Sequence, residues 1–233
     1  MKESTLLMRN EHEVVRPFSH VVFDVDGTLS IEGLDVLAQA KGMGEQVRAI
    51  TEGGMNGGNF HGSLTRRLDM LAPTRKEMEW LAEQYIEGVV WGARETIYRL
   101  HELGKDVRMV SGGFTDAIVP LALELGIVPD RVHANTMWFE SGHFCGFDPD
   151  NELAYTGGKP RLLRRLGLEG AIVNIGDGST DAEIRTEGVS ERFILYGGMS
   201  GVREGLRAAA DVVVEDGDLR TILPHILTSQ ELS

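Results

Sequence analysis

At 233 residues the chain exceeds one average domain yet falls short of two, so a main domain carrying a smaller inserted one is expected. With 42% hydrophobic and 25% charged residues it is neither a disordered nor a fibrous chain. A net charge of −13 disfavours nucleic acid and anionic membranes as partners, and any anionic ligand would need a local cationic pocket.

Residues 1–16 mix charges throughout (Lys2, Glu3, Arg9, Glu11, Glu13) with no apolar run, and read as a flexible extension rather than a signal peptide. No later stretch approaches the roughly 20 apolar residues of a membrane helix, so a soluble protein is expected. The first apolar run, Val21-Val22-Phe23, reads as a strand that ends in Asp24-Val25-Asp26-Gly27-Thr28. The next run of that kind is Val107 to Val110, about 80 residues on, whereas a strand-helix-strand unit needs only ~30. The surplus suggests an inserted helical cap over residues 37–91. Leu34, Leu37, Ala38 and Lys41, then Leu64, Leu68 and Leu71, then Met78, Leu81, Ala82 and Tyr85 recur at helical spacing. Between the first two sets, Glu52 to Phe60 is rich in glycine and reads as a flexible loop. From about residue 92, the runs Val107 to Val110, Ala171 to Ile175, Phe193 to Leu195 and Asp211 to Val214 alternate with amphipathic stretches. This predicts an α/β core over 17–36 and 92–233, a Rossmann-like doubly wound parallel sheet. Residues 136–147, with Trp138, Phe139, Phe144 and Phe147 around Ser141-Gly142, predict a small β-hairpin outside that sheet. The single cysteine, Cys145, cannot form an internal disulfide; it fits a reducing cytoplasm and reads as a small buried hydrophobe.

In sheets of this class ligands bind beyond the carboxyl ends of the strands. Asp24 and Asp26, at i and i+2, can aim two carboxylates to one side and share a Mg2+, with one oxygen of Asp24 free to attack phosphorus and Asp26 handling protons. Alone, the pair would serve equally well to cap a turn. Ser111-Gly112-Gly113 offers a hydroxyl and unhindered amides to phosphate oxygens before a helix starting near Thr115. Lys159 stands just before a helix whose first position suits Pro160; a cation there opposes the helix dipole unless an anion shares the site. Asp177 is a further candidate metal ligand. Thr180 with Glu183 would form a capping box, and Asp181 would sit in the first turn. Four strand ends thus carry a carboxylate pair, a hydroxyl with glycines, a lysine and a carboxylate cluster, in that order.

The ordered set closely resembles the haloacid dehalogenase superfamily, and within it the phosphoserine phosphatase family, over roughly residues 20–216. The resemblance rests on Asp24-Val-Asp-Gly-Thr28, Glu32-Gly-Leu-Asp35, Met55, Phe60, Ser63-Leu64-Thr-Arg-Arg67-Leu68, Ser111-Gly-Gly-Phe114, Gly157-Gly-Lys159 and Gly176-Asp-Gly-Ser-Thr-Asp181. It implies a Mg2+-dependent phosphomonoester hydrolase working through a phospho-aspartate on Asp24. Asp24, Asp26, Ser111 and Lys159 would be catalytic. The metal would be held by Asp24, Asp26 (through its backbone carbonyl) and Asp177, with Asp181 behind them. Glu32, Met55, Phe60, Arg67, Ser111, Gly112, Gly113, Lys159 and Thr180 would contact substrate, Glu32 facing its ammonium and Arg67 its carboxylate. Helical geometry also selects Arg67, which borders the stripe of Leu64, Leu68 and Leu71, while Arg66 points away from it. Departures are Gly27 for a common serine, a one-residue shortening between Asp24 and Glu32, and Thr180 for a common asparagine. Another small phosphomonoester, transfer of the phosphoryl group to an alcohol, or a phospho-accepting signalling module stay as alternatives, the last lacking any use for a cap. The partner expected is a small phosphomonoester, with the protein a monomer or a homodimer.

Overall fold

A computed structural model describes residues 13–57, 59–199 and 201–233, with the side chains of 52–57 outside the described ones. Of the leader expected over 1–16, residues 1–12 lie outside the described residues; Val14 is buried against the core and Arg16 pairs with Glu191.

The apolar runs became a six-stranded, wholly parallel sheet. In chain order its strands are β1 (His20–Phe23), β2 (Asp106–Phe114), β3 (Val132–Asn135), β6 (Ile172–Gly176), β7 (Arg192–Tyr196) and β8 (Val212–Val214). They lie in the order β3-β2-β1-β6-β7-β8. Such a sheet is covered on both faces, and successive residues of β1 divide accordingly. Val21 and Phe23 enter the larger core with α5 (Ala93–Glu102) and α6 (Thr115–Glu124), whereas Val22 joins Leu162 and Leu163 of α7 (Gly158–Leu166) and Ile184 of α8 (Ser179–Thr186). β1 pairs with β2 on one side and β6 on the other, so chain connections leave it in opposite directions. A crevice opens beyond its carboxyl end, and Asp24 follows directly.

Four helices intervene between β1 and α5: α1 (Gly33–Ala40), α2 (Gly44–Gly57), α3 (Phe60–Leu71) and α4 (Arg75–Glu87). Leu64, Leu68 and Leu71 of α3 are at most 1% exposed, each burial contributing about 1.5–3 kcal/mol. α4 opens with a reciprocal capping box between Thr74 and Glu77 and packs along α6. The hairpin is present as β4 (Met137–Glu140) and β5 (His143–Phe147), turning through Ser141 and Gly142, both at positive φ as the tightest hairpin turns require. It leans on the start of α4, where the Arg75 amide donates to the Gly142 carbonyl (2.9 Å) and the Phe144 amide to Pro73 (3.1 Å). A short C-terminal helix, α9 (Ser229–Leu232), closes the chain.

Several local expectations need correction. The segment expected as a glycine-rich loop continues α2 to Gly57, because backbone hydrogen bonding propagates through glycine once a helix is anchored on its buried face, here by Val47. β2 runs on through Ser111-Gly112-Gly113 to Phe114, with a bulge after Val110, instead of ending at Val110. α7 starts at Gly158, so Lys159 lies within its first turn and Pro160 is its third residue. Cys145 is exposed, since it lies on the solvent side of β5.

Candidate active site

The carboxyl ends of β1, β2 and β6, the start of α7 and helices α1, α3 and α4 enclose a cavity of ≈ 370 Å³. Asp24, Asp26, Glu32, Phe60, Arg67, Gly112, Gly113, Lys159, Asp177 and Thr180 all line it. Ser111 is fully buried beneath its floor. Met55 belongs to the stretch of α2 whose side chains lie outside the described ones. Arg66 is exposed, and its Nε donates to the Gly62 carbonyl one turn back.

Asp24 is clamped by one oxygen. Its Oδ1 accepts from the Val25 amide (2.8 Å) and lies 2.8 Å from the Lys159 ammonium, which leaves Oδ2 toward the cavity. Burial, followed by the nearby Asp181, pushes the Asp24 carboxyl up to about 8 against the opposing pull of Lys159. Lys159 sits between Asp24 and Asp181 (2.7 Å), and these two carboxylates hold its ammonium above the ordinary lysine value although burial works against it. Its position in a crowded first turn depends on Gly158, where a Cβ would strike the backbone of Glu152 (2.7 Å from its carbonyl carbon).

Asp26 is held at both oxygens. Oδ1 accepts from the Tyr85 hydroxyl (2.5 Å) and the Gly33 amide (2.8 Å), and Oδ2 accepts from the Ser111 hydroxyl (3.0 Å). Ser111 Oγ in turn accepts from the Gly113 amide at 2.8 Å. A side chain at Gly113 would meet both Asp26 Oδ2 (2.9 Å) and Ile118 (2.9 Å), so glycine keeps this floor open.

Asp24, Asp177 and Asp181 place carboxylate oxygens within 4.8 Å of one another, all buried. Asp181 is already committed: Oδ1 takes Lys159, and Oδ2 takes the Gly178 amide at 3.1 Å, capping α8. The capping box expected from Thr180 and Glu183 is therefore replaced. Thr180 lies inside the first turn, and Glu183 accepts instead from the Gly157 amide (2.9 Å), tying α8 to the turn before α7. Burial, and next Asp24, push Asp177 up to about 6. Burial together with Asp26 and Asp177 pushes Glu32 up to about 8. Burial first, and then their mutual repulsion, raise these carboxyls, and an all-oxygen donor set of this kind suits a hard divalent cation. Asp24 and Asp177 have the geometry to ligate one. The Asp26 carboxylate, occupied by three donors, leaves only its backbone carbonyl for that purpose.

Arg67 enters the cavity from α3. Its Nε is buried without a hydrogen-bond partner, an unusual state for a guanidinium and one that a bound anion would relieve. Two functional neighbours escaped sequence reasoning. Arg203 reaches in from the loop after β7 to Asp177 (2.9 Å) and toward Glu32 (3.6 Å). Tyr85, expected only as a core position of its helix, turns its hydroxyl onto Asp26. The sole signal for Arg203 was its place after the carboxyl end of a strand.

The family model of haloacid dehalogenase-like hydrolases matches residues 21–184. The chain is 34% identical over 205 residues to the chloroplastic phosphoserine phosphatase of Arabidopsis thaliana, covering 85% of this chain and 69% of the relative. To the phosphoserine phosphatase of Bos taurus it is 33% identical over 202 residues, 84% and 88% of the two chains. The chain belongs to the haloacid dehalogenase-like hydrolases, in the phosphoserine phosphatase family. A solved phospho-aspartyl intermediate analogue of a phosphoserine phosphatase superposes with a TM-score of 0.76 at 29% identity, covering 91% of this chain and all of the other. Among the described residues no helix is long and apolar enough to cross a membrane.

Proposed function

We propose that this phosphoric monoester hydrolase converts O-phospho-L-serine and water to L-serine and phosphate through a phosphorylated Asp24. The observation that carries the reading is the cavity itself, which sets a half-buried Arg67, its Nε buried and unpartnered, and the carboxylate of Glu32 beside the Asp24 and Asp26 pair. A zwitterionic leaving group fits both: its carboxylate meets Arg67 and its ammonium meets Glu32. An ammonium beside Glu32 would also offset the repulsion that raises that carboxyl.

Asp24 Oδ2 attacks phosphorus, the ester P–O bond breaks, and the departing serine oxygen takes a proton from Asp26. Asp26 then accepts a proton from water as that water attacks the phospho-aspartate, releasing phosphate and restoring Asp24. Ser111, the Gly112-Gly113 backbone and Lys159 receive the phosphoryl oxygens, whose charge is the main thing to be stabilised in such transfers. Mg2+ suits Asp24, Asp177 and the Asp26 carbonyl, and when bound it supplies Lewis-acid polarisation of the phosphoryl group. Asp181 keeps Lys159 in place, and Phe60 and Thr180 complete the walls. With one exposed cysteine and no partner for it in the chain, the protein suits a reducing cytoplasm.

The test is phosphate release at fixed Mg2+ from phosphoserine, phosphothreonine and sugar phosphates, with and without an alcohol acceptor such as homoserine. A preference for phosphoserine with water as acceptor is expected. Equal rates across the panel, or transfer to the added alcohol, would sink the assignment.

A further inference from the structure

The loop from Asp26 to Gly33 wraps the last turns of α4, and it does so around one side chain. Tyr85 is 2% exposed and is held at both ends: its backbone carbonyl accepts from the Ser30 hydroxyl at 2.6 Å, and its own hydroxyl donates to Asp26 Oδ1 at 2.5 Å. Ser30 is itself fully buried. Two glycines make room for the arrangement. A Cβ at Gly33 would lie 2.5 Å from Tyr85 Cζ, and one at Gly88 would lie 2.5 Å from the Ile31 side chain. Gly33 spends its freed space on the second donor, its amide reaching the same Asp26 oxygen at 2.8 Å.

Two donors on Oδ1 have a chemical consequence. With both its lone pairs engaged, that oxygen is closed to the proton, and Oδ2 is left to carry it. Oδ2 faces Ser111 and the cavity floor, where the leaving oxygen would stand. We infer that Tyr85 is a positioning residue for the reaction: from α4 it fixes the rotamer of Asp26 and assigns proton transfer to Oδ2. Nothing in the four strand-end motifs encodes this contact, because it arrives from the helical segment and meets the motif through its side chain alone.

The inference rests on the phosphatase reading, and leaving-group chemistry separates the two. An alkoxide leaves poorly unless it is protonated, whereas p-nitrophenolate leaves without help. Moreover, kcat/KM reports only steps up to phosphorylation of Asp24, so hydrolysis of the intermediate does not enter it. The experiment compares wild type and Tyr85→Phe on phosphoserine, on glycerol 2-phosphate, which bypasses Glu32 and Arg67, and on p-nitrophenyl phosphate. For Tyr85→Phe, kcat/KM on both alkyl esters should fall about 10–100-fold while that on the aryl ester stays within about 3-fold, as expected for a displaced general acid. Tyr85→Met, which occupies the ring's space without a hydroxyl, should give the same split if Tyr85→Phe folds poorly. Equal loss on all three esters, or no loss on any, would overturn the positioning role, and so would a loss confined to phosphoserine, which would place Tyr85 in substrate recognition. A wild type that turns over none of the three would instead remove the phosphatase reading beneath it.

Discussion

Arg67→Ala isolates the amino-acid part of the substrate from the phosphoryl chemistry. In the free protein the guanidinium is mostly withdrawn from water, its Nε has no hydrogen-bond partner, and its compensation comes from the field of Asp35, Asp26 and Glu32. Its desolvation is therefore already incurred before substrate arrives, and a carboxylate gains most of the charge-assisted hydrogen bonding. Removing one partner of such a pair costs about 2–4 kcal/mol, or roughly 30–1,000-fold in kcat/KM on phosphoserine. Phosphoethanolamine keeps the ammonium and phosphate but has no carboxylate to lose, so its kcat/KM should change less than about 3-fold, because only the lost pair distinguishes the two substrates. Arg67→Lys should recover only part of the loss, since an ammonium offers a point charge in place of a fork. Thermal midpoint should not fall, because the variant deletes an unsatisfied buried group. Stopped assays of phosphate release on both substrates supply the comparison. Equal losses on the two esters would refute the argument, for then Arg67 would serve the fold or the phosphate and not the carboxylate.

Three further outcomes follow from the geometry. Saturating Mg2+ should raise the thermal midpoint, by an amount corresponding to about 2.7 kcal/mol at a hundredfold excess over Kd, and Asp177→Asn should remove most of that gain in a calorimetric scan. His133 is pushed down to about 4 by burial and then by Arg108, whose Nη1 lies 3.3 Å from its ring. Unfolded, the imidazole binds its proton near 6.5, so between about 6.5 and 4 the unfolded chain holds more protons and stability falls as pH falls. His133→Asn should flatten the urea-denaturation profile in that window relative to wild type, and an unchanged slope would count against this account. Gly158→Ala should lower the urea midpoint by an amount equivalent to about 1–3 kcal/mol, as overpacking against the Glu152 backbone does. It should cost activity too, because the same turn carries Lys159.

Some of this site is readable in one dimension because of how parallel sheets are built. β1, β6 and β7 are buried on both faces, so they appear as apolar runs, β6 broken only by the buried Asn174, and the polar residues that follow them must lie at one edge. Asp24, Asp177 and the Gly178 turn were legible for that reason, and Ser111 because glycines follow it. β3 was not, since Val132-His-Ala-Asn135 is an edge strand of mixed polarity. Helix starts were misplaced by one or two residues where a tertiary partner replaced the local cap, as when Glu183 turned to Gly157 instead of its own helix. Tyr85 and Arg203 depend on contacts 59 and 26 residues away in the chain, and no periodicity records those.

The charges in the cavity also bear on the order of events. Asp24, Asp26, Glu32, Asp177 and Asp181 face Lys159, Arg67 and Arg203, and Lys159 is already shared by two carboxylates, Arg203 by Asp177 and Glu32. Arg67 brings a buried Nε with no hydrogen-bond partner, and it enters the cavity from α3. A phosphate dianion approaching Asp24 therefore meets a surplus of negative charge on a chain that is itself at −13. On the proposed reading, a divalent cation held by Asp24 and Asp177 would reverse that local sign and favour the ionised Asp24 that a nucleophile needs. By linkage, a cation that favours phosphate must itself be bound more tightly once phosphate is present. On that reading the metal and the ester would be coupled ligands of one site.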